Sequence, residues 1–268
     1  MNSQSHPIRS FLALALAVAA FGAVLGRASA ADAPTKPASA EKKTASAEGR
    51  VIAVVPVAAR TNILIFRNVR SWKRTPDFEE ALTELGLKFD VKHSAEMGDT
   101  DLSRYLCVII PGAQSKDDYY IQYMDNAPQF DRFVTNGGTL LLELNGAENA
   151  GIPLPRGVSM ASHGAKDNAI LLTNHPILDP LGGRVIHASY ASHGYLEGVP
   201  KDALILAAEM VDGKPAPDRP TFVEYAHGGG RVIAACQCFH DRDGSGRGIL
   251  METAISYVAE RQWYVPGK

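Results

Sequence analysis

The chain has 268 residues, 46% hydrophobic and 21% charged, with a formal net charge of −2. That balance builds a globular core, and the charges are scattered with no basic stripe interleaved with aromatics, so nucleic-acid binding has no electrostatic footprint. The three cysteines, Cys107, Cys236 and Cys238, allow at most one disulfide, so the core must supply the stability and each thiol is expected free and buried.

Arg9 precedes an unbroken apolar run of 15 residues at 11–25, and Ala28-Ser29-Ala30 follows as an A-x-A exit. Charge, short hydrophobic core and small-residue exit, in that order, predict a cleavable signal peptide over 1–30. The run is shorter than the about 20 apolar residues of a membrane span. The expectation is a periplasmic or secreted protein with no membrane span after cleavage. Loss of Arg9 and Arg27 leaves 25 basic residues against 29 acidic, a net charge near −4. Residues 31–50, rich in Ala, Lys, Ser, Pro and Glu, bury too little apolar surface to order themselves and predict a flexible linker. A single α/β domain is expected over 51–268.

Within it, an apolar lead-in at 51–57 precedes NILIF at 62–66, a buried strand. Residues 76–85 predict a helix, with Pro76 near the start, acids in the first turn and Gly86 beyond the end. KFDVK at 88–92 alternates as an edge-side strand, and YLCVIIP at 105–111 is a second buried run ending at a Pro-Gly breaker. A helix centred on 128–134 closes at Asn136-Gly137-Gly138, and TLLLEL at 139–144 makes a third buried strand. Buried strands separated by helices predict βαβ units, a mostly parallel sheet and helices on both faces. Further on, 203–210 predicts a strand, and 220–226 with 231–238 form a hairpin around His227-Gly228-Gly229-Gly230. Residues 248–262 place Ile249, Met251, Ile255 and Val258 at near-helical spacing, which predicts a closing helix.

Four phrases then stand in a recognisable order: ALTELGLKFDV (81–91), FDRFVTNGGTLLLELNG (130–146), NHPI (174–177) and FVEYAHGGGRVIAACQCFH (222–240). Over roughly residues 60 to 262 this order resembles ThuA-like domains of the class I glutamine amidotransferase-like superfamily. The resemblance implies a flavodoxin-like three-layer α/β sandwich and an association with carbohydrate metabolism. The superfamily's amidotransferases carry a cysteine on a strand-to-helix elbow, completed by a histidine and an acid. Here the elbow position after 139–144 reads Glu143-Leu144-Asn145-Gly146, with no thiol or hydroxyl to attack an amide. Glutamine hydrolysis is therefore not expected, and Cys107, mid-strand in an apolar run, is no substitute.

Ligands of open α/β sheets bind at the carboxyl ends of the strands. That rule nominates Arg67, Asn68, Gln114 and Asn145 as ligand-binding residues, with Glu143 beside them. His240 and Asp241 join as catalytic candidates, with Glu143, if the strand before them is parallel to the others. Such groups suit directed hydrogen bonds to a sugar or carboxylate. The plainer alternative is that Asn145-Gly146 only makes a turn and that Arg67 caps a helix or pairs with Asp77.

Asp241, Asp243, Ser245 and Glu252 occupy positions 1, 3, 5 and 12 of a calcium-type loop, with Gly246 at position 6. A strand in place of a helix before the loop, and Gly248 where an apolar residue is usual, favour a solvated turn instead. Possible calcium is the only cofactor the sequence suggests. His187 and His193 are six apart, a poor spacing for zinc, with a third ligand to be chosen among His163, His175, His227 and His240. Three readings stand: a non-amidase protein binding a small polar, saccharide-like ligand; a carbohydrate-active hydrolase or isomerase using His240 with an acidic partner; and an accessory scaffold subunit of an envelope complex.

Overall fold

The computed structural model describes residues 50–54, 62–70, 78–114, 118–183, 185–239 and 247–266. The expected signal peptide and nearly all of the linker lie outside the described residues, as do His240, Asp241, Asp243 and Ser245. No helix among the described residues is long and apolar enough to cross a membrane.

Eleven strands are described: β1 (Arg50–Val54), β2 (Asn62–Phe66), β3 (Phe89–Lys92), β4 (Tyr105–Ile110), β5 (Thr139–Glu143), β6 (Ser159–Ile170), β7 (Val185–Glu197), β8 (Leu204–Val211), β9 (Lys214–His227), β10 (Gly230–Ala235) and β11 (Gln262–Pro266). Among the described residues the α-helices are α1 (Phe78–Glu84), α2 (Tyr119–Asp125), α3 (Ala127–Thr135) and α4 (Arg247–Glu260). Nine strands form one sheet in the order β3-β2-β4-β5-β10-β9-β8-β6-β7. The first five run parallel, and β9, β8, β6 and β7 continue the sheet antiparallel. The sheet is therefore mixed, with a parallel half and an antiparallel half.

Inside the edge strand β3 the parallel half is covered on both sides, which is why β2 and β4 read as continuous apolar runs rather than alternating ones. Successive side chains still divide between two faces. Ile63, Ile65, Cys107, Ile109, Leu141 and Ile233 pack with α1 and α4. Leu64, Phe66, Val108, Ile110, Leu140, Leu142 and Val232 pack with α2 and α3. The result is a three-layer α/β arrangement with two cores separated by one sheet.

Two glycine runs lock the amino-terminal edge of this sheet. Gly229 N donates to Thr135 O at 2.8 Å, and a Cβ on Gly228, at φ +58, would lie 2.6 Å from that same oxygen. A Cβ on Gly230 would collide with the Gly138 carbonyl. The turn between β9 and β10 thus presses backbone against backbone on the end of α3, which only glycine permits. His227 Nε2 bonds Asp131 Oδ1 at 2.9 Å and Thr135 Oγ1 at 3.1 Å across the same contact.

Three features depart from the sequence expectations. The expected helix over 248–262 stops at Glu260: Arg261 has φ 52, and the aromatic run that follows becomes β11, paired antiparallel with β1. The long strands β6 and β7 had no counterpart in the sequence reading. Their pairing shifts register at Ser162, Ala165 and Asp167, so the period-2 pattern that announces a strand is broken. β9 begins at Lys214 rather than 220, since Pro215 and Pro220 are accommodated opposite Met210 and Ala208 in a bulged register.

Candidate functional site

Because β2, β4, β5 and β10 are parallel, their carboxyl ends open on one edge, and Glu143 joins the loops there. It is the last residue of β5 and 1% exposed. Its Oε2 accepts from Gly112 N at 2.9 Å and its Oε1 from Phe239 N at 2.7 Å. One carboxylate thus binds the loop after β4 to the loop after β10. Backbone N–H groups of irregular segments must find acceptors when buried, and a carboxylate at a strand end meets that demand.

Gln114 does similar work for the neighbouring loops. It is 1% exposed. Its Oε1 accepts from Asn68 N at 2.9 Å and Val69 N at 3.1 Å, and its Nε2 donates to Val69 O at 2.9 Å and Gly112 O at 3.2 Å. Those four bonds use the whole capacity of a side-chain amide. Asn68 is bound in turn to Ser94: Nδ2 donates to Oγ at 2.8 Å, and Oδ1 accepts from Ser94 N at 2.8 Å. Arg67 pairs with Glu79 at 2.6 Å, so its partner within α1 is Glu79.

Asn145 differs from these three. It is half-buried, and its Nδ2 makes one long contact, 3.5 Å, to Glu143 Oε1. Its Oδ1 occupies the space where a Cβ of Gly112 would be, so the glycine makes room for the amide. The next residue, Ala113, holds φ 57, a left-handed conformation that costs about 1–3 kcal/mol in a non-glycine residue and persists where surrounding structure enforces it. Behind it, Tyr120 Oη accepts from Gln114 N at 3.3 Å. Burial pushes the Tyr120 hydroxyl up to about 12.

The structure brings Arg67, Asn68, Gln114, Glu143 and Asn145 to one edge of the sheet. Glu79, Ser94, Tyr120 and Asn149 belong with them and were not signalled by any motif. No thiol or hydroxyl side chain occurs from 143 to 150, and a 3₁₀ turn at Ala147–Asn149 follows the strand. Cys107, Cys236 and Cys238 are free and buried, and burial pushes the Cys107 and Cys236 thiols far up. β10 is parallel to β5, which meets the condition set for His240 and Asp241. Glu252 lies on α4 and lines an open groove of about 420 Å³ with Leu85, Pro176 and Tyr257. Among the described residues no group of three or more His, Cys, Asp or Glu is placed to hold a metal ion.

The histidine of the NHPI phrase is wholly internal. His175 and Glu224 are both fully buried and 2.9 Å apart. Ile177 N donates to His175 Nδ1 at 3.3 Å, so the proton shared with Glu224 sits on Nε2. Arg231 reaches Glu224 Oε1 at 2.6 Å, and Tyr257 Oη donates to the same carboxylate at 2.9 Å. Tyr257 and Tyr264 rings flank the imidazole, each 5.0 Å away.

No family model matches the chain, and no curated protein matches it. Among solved structures it is similar to a putative GMP synthase component from Thermoplasma acidophilum, at 14% identity and TM-score 0.48, over 77% of this chain and 100% of that one. It is similar to a glutamine amidotransferase from Thermotoga maritima at 12% identity and TM-score 0.48, over 76% and 95%. A β-galactosidase from Bacillus circulans aligns at 14% identity and TM-score 0.45, over 76% of this chain but 31% of the galactosidase. Likenesses at this level leave the chemistry to be argued from the site.

Proposed function

We propose that this chain is an exported, ThuA-like protein of the class I glutamine amidotransferase-like superfamily that binds a small polar, saccharide-like ligand and does not hydrolyse glutamine. The observation that carries the proposal is the strand end at 143–146. Where the resemblance would put an amidotransferase's thiol, this chain has a buried carboxylate engaged by two backbone N–H groups, and then Asn145. Gln114, Asn68 and Arg67 hold the walls of the crevice. Asn145 is the group with capacity to spare, its amide seated in the room that Gly112 leaves for it. Amide groups in a rigid, partly buried rim suit directed hydrogen bonds to hydroxyls.

The test is a thermal-shift titration of the purified protein against a panel of neutral sugars, with ammonia release from glutamine assayed alongside. A ligand binding only the folded state raises stability by about 2.7 kcal/mol at 100 times its dissociation constant. A saturable shift with a sugar and no ammonia supports the proposal. Ammonia release, or a flat response across the panel, refutes it.

A second reading is favoured by one bond. Glu143 Oε1 accepts from Phe239 N, the residue before His240. A hydrolase or isomerase using His240 would then be served by Glu143 as a positioning group. His240→Ala should abolish turnover with the melting temperature unchanged, and retained turnover removes this reading.

A further inference from the structure

A second polar cluster lies on the antiparallel half of the sheet, on strands that contribute nothing to the crevice above. Glu209 of β8 is fully buried. His163 Nδ1 lies 2.7 Å from its Oε1, with the His163 side chain 46% exposed. Since the carboxylate only accepts, Nδ1 carries the proton, and in the neutral ring Nε2 is the acceptor. Arg219 of β9, 38% exposed, reaches Glu209 Oε2 at 3.5 Å and sits 5.7 Å over the Tyr195 ring. Tyr195 also meets His163 edge-on, at 6.3 Å.

Two further observations mark this place. His163 falls within the register shift between Ser162 and Ala165 of β6, and such bulges re-aim side chains. Asn168, fully buried, stands opposite Glu209 in the β6–β8 register. Its Oδ1 accepts from Ser192 Oγ at 3.3 Å, yet its buried Nδ2 has no hydrogen-bond partner among the described residues. A buried amide N–H₂ without an acceptor costs about 1–3 kcal/mol and points to an acceptor supplied from elsewhere.

We propose that His163, Glu209 and Arg219 form a binding site for a small hydroxylated carboxylate of the sugar-acid class. Arg219, stacked on Tyr195 and holding Glu209 by one long contact, has the rest of its planar fork for the ligand carboxylate. His163 Nε2 accepts a hydrogen bond from a ligand hydroxyl, while Nδ1–H stays on Glu209 and fixes the ring's orientation.

The experiment uses the full chain labelled with ¹⁵N-histidine, with gluconate as the probe and sorbitol as its uncharged control. His163→Gln identifies the His163 signals. The neutral ring is expected as the Nδ1–H tautomer. Gluconate is expected to shift its resonances saturably while sorbitol leaves them in place. Arg219→Gln removes one or more charge-assisted hydrogen bonds and should weaken gluconate binding roughly tenfold or more. Asn145→Ala should leave this response intact, which separates the site from the crevice. An Nε2–H tautomer, His163 signals unmoved by gluconate, or Arg219→Gln binding as wild type would overturn the proposal. If His163→Gln only lowers the melting temperature of a protein that ignores gluconate, the cluster is a structural ion pair and the proposal fails.

Discussion

Replacing Glu143 by Gln tests the architecture of the crevice at its joint. The carboxylate accepts from Gly112 N at 2.9 Å and Phe239 N at 2.7 Å on separate oxygens. The isosteric amide keeps one acceptor and turns an N–H₂ towards the other backbone donor. Hydrogen bonds to a charged acceptor contribute about 1.5–3 kcal/mol each, and a buried donor left unpaired costs about 1–3 kcal/mol. Because the two effects share a neighbourhood, a loss of about 2–5 kcal/mol is expected rather than their full sum. For a domain of this size that lowers the melting temperature by roughly 10 °C, at about 2–4 °C per kcal/mol. Urea unfolding should show the midpoint falling with an unchanged slope. A change under about 0.5 kcal/mol, within the range of an ordinary surface substitution, would refute the argument. If turnover is found and this variant abolishes it at unchanged stability, Glu143 is a catalytic base and not a joint.

Other outcomes follow from the same geometry. His175→Phe leaves the buried Glu224, which Arg231 also holds, without its imidazole donor, and should cost about 3–5 kcal/mol by chemical denaturation; a near-neutral result would show that the network is dispensable. With all three cysteines buried and free, an aromatic disulfide reagent should find no reactive thiol in the native protein and three after unfolding in guanidinium. Rapid labelling of one native thiol would contradict that burial. Burial raises the Tyr119, Tyr120, Tyr123, Tyr225 and Tyr257 hydroxyls above their ordinary value of 10.0, Tyr120 to about 12. Above pH 10 the unfolded chain therefore loses protons that the native state keeps, and stability falls as pH rises. The melting temperature should drop between pH 10 and 12, with phenolate absorbance appearing on unfolding; phenolate absorbance at full native stability would contradict the burial.

The parallel half of the fold was legible because β2, β4 and β5 are short apolar runs bounded by breakers, with both faces covered, and the edge strand β3 alternates. Within the phrases that carry the resemblance, the glycine runs and His175 serve packing. Gly137-Gly138 and Gly228-Gly229-Gly230 are the places where two backbones meet, and His175 of NHPI is buried between two tyrosines. The strand-end rule found the edge where Arg67, Asn68, Gln114, Glu143 and Asn145 gather. It gave no warning that Gln114 and Asn68 spend their amides on neighbouring loops, since pairings over 26 to 46 residues leave no local pattern. β6 and β7 were illegible for a related reason. Their bulges break the alternation that would reveal them, and His163 reaches Glu209 only through those bulges and a 46-residue separation. Zinc-type spacing admits His163 as a ligand but carries no trace of its carboxylate partner.

At the carboxyl ends of β2, β4 and β5 a small polar ligand is expected to be received through Asn145. The most direct measurement is a crystal structure of the protein soaked with whichever sugar raises its melting temperature most. The account predicts the sugar beside Gly112, hydrogen-bonded to the Asn145 amide, with the Glu143 bonds to Gly112 and Phe239 intact. A sugar bound elsewhere, with the Asn145 amide making no contact to it, would contradict the account.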